Sequence, residues 1–122
     1  MKLSAARVFV RDLASARQFY AENLGLPLKA SGVEQGFLVM GVGGVDLIVE
    51  TVPDDAPADD QALVGRFTGL SFAVQDIRAS HAQLSAAGVR FTGAPELQAW
   101  GGWLATFSDP AGNELQLVQS PG

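Results

Sequence analysis

Glu50, in the stretch VDLIVET, and Gln116, in GNELQLV, are the residues of this chain best placed to do chemistry. Each interrupts an apolar run. A carboxylate there could take a proton, receive a cation or help bind a metal, and an amide could hydrogen-bond a neutral ligand. Arg7, in AARVFV, adds a permanent cation. Trp100 and Trp103, in WGGWLATF, offer large rigid faces and one N–H donor each. Other chemistries lack their parts. Without Cys there is no thiol nucleophile, thiolate metal site or disulfide. The lone His81 lies between Ile77 and Leu84 on a helical pattern, so it reads as a half-buried structural residue and not as the base of a Ser–His pair. Gly41-Val42-Gly43-Gly44 has the form of a hairpin turn, not a phosphate loop.

Composition narrows the partners. The chain has 122 residues, 48% of them hydrophobic and 17% charged, which suits one domain with a real core. A net charge of −5 with scattered Lys and Arg argues against nucleic acid. No apolar run reaches the ~20 residues of a membrane span, and the N-terminal residues lack a signal-peptide apolar region, so a cytoplasmic location without membrane contact is expected.

The elements that must position these residues occur twice. AARVFVRDL at 5–13 matches GLSFAVQDI at 69–77: a strand, an Asp, then an aliphatic residue opening a helix. Leu13, Ala16, Phe19, Tyr20 and Leu24 follow helical spacing up to Gly25, and Ile77, His81, Leu84 and Ala87 do so up to Gly88. Asp12 and Asp76 fit as N-caps and the glycines as C′ residues. Strand-like runs follow at Leu26–Ser31, Gly36–Val42 and Val45–Val52, then again at Val89–Thr92, Gly102–Phe107 and Glu114–Gln119. The acidic, proline-bearing segment Pro53–Gly65 reads as a linker between a first module at about 1–52 and a second at about 66–122. The predicted class is α+β: two tandem βαβββ modules forming a curved mixed sheet around a concave cavity, with helices on the convex side.

VFVRDLASARQFYAENLGL, LSFAVQDIRASHAQLSAAGV and WGGWLATFSDPAGNELQLV, in that order and spanning nearly the whole chain, resemble the vicinal oxygen chelate superfamily of glyoxalases, bleomycin-resistance proteins and extradiol dioxygenases. The resemblance implies a homodimer, often with exchanged modules. It also implies four metal-ligand positions, which fall on Ala5, Glu50, Gly69 and Gln116. Ala5 and Gly69 offer no donor, and a glyoxalase-like site would usually carry Glu at position 116. One carboxylate and one amide fall short of the three or four ligands such metals generally take. No metal and no cofactor are therefore expected.

Strand alternation from those positions turns Arg7, Phe9, Asp46, Ile48 and Glu50 toward the trough, with Ser71, Ala73, Glu114, Gln116 and Val118. Val8, Val10, Leu115 and Leu117 point to the core. Phe37 and Met40 point to opposite faces, their order undetermined. The expected ligand-binding set is Arg7, Phe9, Ile48, Glu50, Trp100, Trp103 and Gln116, although either Trp could instead pack in the core or at an interface. Arg7 and Glu50 could pair, or could receive ligand groups of opposite charge. The leading expectation is a metal-independent protein of the bleomycin-resistance type that encloses an aromatic or amphipathic compound. The alternative is a lyase, isomerase or dioxygenase using Glu50 and Gln116, with Glu50 the one catalytic candidate. A third is a regulatory or structural protein with a vestigial trough.

Overall fold

A computed structural model describes the whole chain, residues 1–122. Two mixed sheets carry it. The first is built from β1 (Ala5–Val10), β2 (Leu28–Gly32), β3 (Phe37–Val42) and β4 (Val45–Thr51), in the order β1-β4-β3-β2. The second contains β5 (Phe67–Ala73), β6 (Arg90–Phe91), β7 (Glu96–Leu97), β8 (Trp103–Ser108) and β9 (Glu114–Gln119), in the order β5-β9-β8-β6, with β7 also on β8. In each sheet the first strand lies parallel to the last strand of its own half, and this pair places the functional candidates side by side.

The helices form where the pattern puts them. α1 (Leu13–Arg17) starts at Asp12, whose carboxylate accepts from Ala14 N at 3.1 Å and Ser15 Oγ at 2.6 Å. α3 (Ile77–Ala86) starts at Asp76, which accepts from Ala79 N at 3.1 Å. Gly25 and Gly88 follow with φ of 72° and 97°, a region that suits glycine. One feature departs from the simple periodicity. α1 widens into a π-helical segment over Gln18–Asn23, and the adjacent Phe19 and Tyr20 are both buried. A further short helix, α2 (Ala58–Gln61), lies in the acidic segment between the sheets. Gln61 fastens that segment by donating to the Pro53, Asp54 and Ala56 carbonyls, and Val64 bridges to Phe9. No helix is long and apolar enough to cross a membrane.

The helix-bearing faces of both sheets share one core. Val8, Val10, Leu38, Met40, Leu47 and Val49 enter it from the first sheet, and Ala105, Phe107, Leu115 and Leu117 from the second. Met40 therefore faces the core and its neighbour in alternation, Phe37, faces away. Phe19 and Phe107, from the two halves, pack with ring centroids 6.2 Å apart and planes tilted by 35°. Beside them lies a polar junction. Tyr20 Oη donates to Asp109 Oδ2 at 2.6 Å, and Asn113 Nδ2 donates to Asp109 Oδ2 at 2.9 Å and to the Phe9 carbonyl at 2.8 Å. Asn113 Oδ1 accepts from Gly65 N at 2.9 Å and Arg66 N at 3.3 Å. No buried side-chain polar atom is left without a partner, which is the condition for placing this network inside a core.

Candidate functional site

Alternation along β1 and β4 brings four of the predicted residues onto the helix-free face of the first sheet. Register places Arg7 beside Ile48, and Phe9 beside Glu50, with Phe37 on the far side of Glu50. Arg7 and Glu50 form an ion pair. Their side chains are 56% and 29% exposed, so water screens the pair and leaves it worth at most about 1 kcal/mol. Lys29 and Asp46 make a second pair on this sheet at 2.7 Å. The face is thus apolar at Phe9, Phe37, Val39 and Ile48, with its charges matched.

Gln116 lies on the helix-free face of the second sheet. It neighbours Ser71 on β5 and Thr106 on β8, and its Nε2 donates to Thr106 Oγ1 at 3.1 Å. Val118, Ala73 and Leu104 form the next row. The tryptophans divide. Trp103 shares parity with the buried Ala105 and Phe107, so it lies on the helix face, where the Arg78 guanidinium sits 5.2 Å from its ring centroid. It therefore packs with α3, apart from Gln116, and the alternative reading of a packing residue is the one realised for it. Trp100 is 54% exposed and lies over Gly102, where an added Cβ would come within 1.8 Å of the ring. Glycine at 102 is what lets the indole lie flat against the chain. His81 is a packing residue, its ring 4.2 Å from that of Phe91 and its Nε2 3.0 Å from the Gly93 carbonyl.

The four positions of the family's metal site do not fit a metal here. Ala5 has no donor atom, and Gly69 lies in a two-residue irregularity of β5 with φ of 75°, a conformation that disfavours any other residue. That leaves one carboxylate, paired with Arg7, and one amide oxygen, Gln116 Oε1, short of the three or four ligands such metals generally take. Nowhere do three His, Asp or Glu side chains converge.

Sequence reasoning left the facing of Phe37 open, since only register could decide it; it missed Thr106, and it missed a cavity between the two halves. That cavity, about 850 Å³, opens between the two halves on the helix side. It is lined by the end of the π-helical segment, by β5 and by α3, and none of the seven expected ligand-binding residues lines it.

The match to known proteins follows the same outline. Residues 2–117 fit the model of the Glyoxalase/Bleomycin resistance protein/Dioxygenase superfamily, and the chain belongs to that superfamily. Among solved structures, a superfamily member from Sphaerobacter thermophilus DSM 20745 is 28% identical with a TM-score of 0.80, covering 98% of both chains. TnmS3, an antibiotic binding protein from Streptomyces sp. CB03234, is 32% identical with a TM-score of 0.73, covering all of this chain and 97% of its own. A lactoylglutathione lyase from Agrobacterium tumefaciens is 16% identical with a TM-score of 0.78, covering 98% of this chain and 93% of its own, a likeness of fold alone.

Proposed function

We propose that this protein binds an aromatic or amphipathic small molecule without a metal and acts by enclosing it. The observation that carries the reading is the state of the four family metal positions: two lack donors, and the other two supply only a carboxylate already paired with Arg7 and one neutral amide. What remains on the helix-free faces suits a flat organic guest. Phe9, Phe37 and Ile48 supply apolar area, Gln116 and Thr106 supply neutral hydrogen bonding, and Trp100 supplies an exposed ring. The likeness to an antibiotic binding protein over the whole chain supports the same class of activity.

Within one chain the two helix-free faces lie on sheets whose other faces share a core, so enclosure calls for a second copy. The reading therefore includes a homodimer in which the face bearing Glu50 meets the partner's face bearing Gln116, with modules at about 1–52 and 66–122 joined by the 53–65 segment. A cytoplasmic setting belongs to the same reading. The test is a thermal-shift screen of chelator-treated protein against aromatic antibiotics and metabolites. A ligand at one hundred times its dissociation constant stabilises by about 2.7 kcal/mol. Gln116→Leu and Trp100→Ala should each reduce the shift. If no compound stabilises the stripped protein while stoichiometric manganese, nickel, zinc or iron does, the enzyme reading through Glu50 takes its place.

A further inference from the structure

The 850 Å³ cleft falls within the size range of small-molecule pockets and meets the faces just described only at Ser71 and Ala73, on the edge strand β5. Its floor is buried and apolar: Leu47, Phe107 and Leu117. Its walls are the half-buried Leu26, Leu70 and Phe72, with Leu84 on α3. Apolar groups converging in a concave, solvent-open space mark a binding surface more often than scattered exposed side chains do. The rim has a definite sign. Glu22, at the end of the π-helical segment, is the sole ionisable side chain lining the cleft, and both ion pairs of the protein lie elsewhere, at Arg7–Glu50 and Lys29–Asp46. Gln83 and Ser80 add neutral polar groups from α3. An apolar floor under an unpaired carboxylate matches one ligand chemistry, an apolar body carrying a cationic head.

We propose that this cleft is a second ligand site, selective for amphipathic cations, with the apolar part against Leu47, Phe72 and Leu84 and the cation at Glu22. The site goes beyond the metal-free binding read from the helix-free faces and rests on Glu22, Leu47, Phe72 and Leu84, none of which belongs to that reading. Its affinity for a cation over an anion of the same tail should be about threefold to fivefold, the size a partly exposed ion pair supports.

The experiment is calorimetry with octyltrimethylammonium, octyl sulfate and neutral octyl glucoside, all below micelle formation. The expected order is cation tightest and sulfate weakest. Glu22→Gln should erase the preference for the cation while leaving the neutral tail unchanged, a control for the overall negative charge. Leu84→Trp should weaken all three by filling the cleft. Absence of saturable binding, or a preference that survives Glu22→Gln, overturns the proposal. So does sedimentation showing that Leu84→Asp dissociates a dimer, which would make the cleft a contact between copies. Failure here with aromatic binding intact on the helix-free faces would leave the function proposed above standing.

Discussion

Tyr20 and Asp109, 89 positions apart, meet at 2.6 Å in the core and join the first half of the chain to the second. The hydroxyl donates and the carboxylate accepts, and Asn113 holds the same carboxylate oxygen from its other side at 2.9 Å. Burial, then the Asp109 charge and the hydrogen bond to it, push the Tyr20 phenol far above its ordinary value near 10. Ionising it in the folded state would put two negative charges side by side away from water.

Alkaline pH should therefore unfold the protein. Because the folded pKa is raised, the contribution of Tyr20 is complete below about pH 10 and fades as pH rises above it, where the unfolded chain ionises and the native one does not. Tyr20 is the one tyrosine in the sequence, so tyrosinate absorbance reports it alone. The signal should appear together with loss of helical circular dichroism. Tyrosinate formed in a chain that keeps its native spectrum would show that the phenol is not held as described. Tyr20→Phe should cost about 1.5–3 kcal/mol in urea unfolding at neutral pH, the range for a hydrogen bond to a charged group.

Asn113→Ala should be more damaging than Tyr20→Phe. It strips partners from the Phe9 carbonyl and from the Gly65 and Arg66 amides at once. The lost bonds are part-buried and the Asn113 side chain itself is fully buried, so a total of about 3 kcal/mol is expected from the urea midpoint. A loss under about 1 kcal/mol would mean that water replaces the side chain freely.

Arg7→Met should change stability by less than about 1 kcal/mol, since the pair with Glu50 is partly exposed. Glu50→Gln should be equally mild. A double-mutant cycle measures the coupling directly, and a coupling well above about 1 kcal/mol would show that the pair is shielded, as it would be inside a closed trough between two copies.

Gly102→Ala should displace Trp100, because the new methyl would occupy the space of the ring. In a Trp103→Phe background, emission then comes from Trp100 alone, and its maximum and quenching by iodide should both change. An unchanged spectrum would show that the indole does not rest on Gly102 in solution.

Much of the fold was legible because its signals are local. Asp12 and Asp76 cap helices through amides two or three residues away, and alternation sorts Val8 from Phe9 and Leu115 from Gln116 once the strands are known. The fold class expected from the repeats is the one observed. What local rules do not carry is register and closure across the chain. Trp103 turns to the helix face because β8 takes its phase from Ala105 and Phe107, and the glycines before it hide where that phase begins. The irregularity at Gly69 depends on how β5 meets β9. The Tyr20–Asp109 contact and the Glu22-rimmed cleft join residues with no relation along the sequence. Glu50 and Gln116 stand out in the sequence as polar groups in apolar strands, but their neighbours Arg7 and Thr106 are set by cross-strand register, which the sequence does not print.

The most direct test of metal-free enclosure is titration calorimetry of a hit from the aromatic screen, run on protein stripped with a chelator and again with one equivalent of manganese, nickel, zinc or iron. Equal dissociation constants in every case, with binding weakened by Gln116→Leu, are the result expected. Binding that appears only with stoichiometric metal and vanishes in Glu50→Ala would contradict the account.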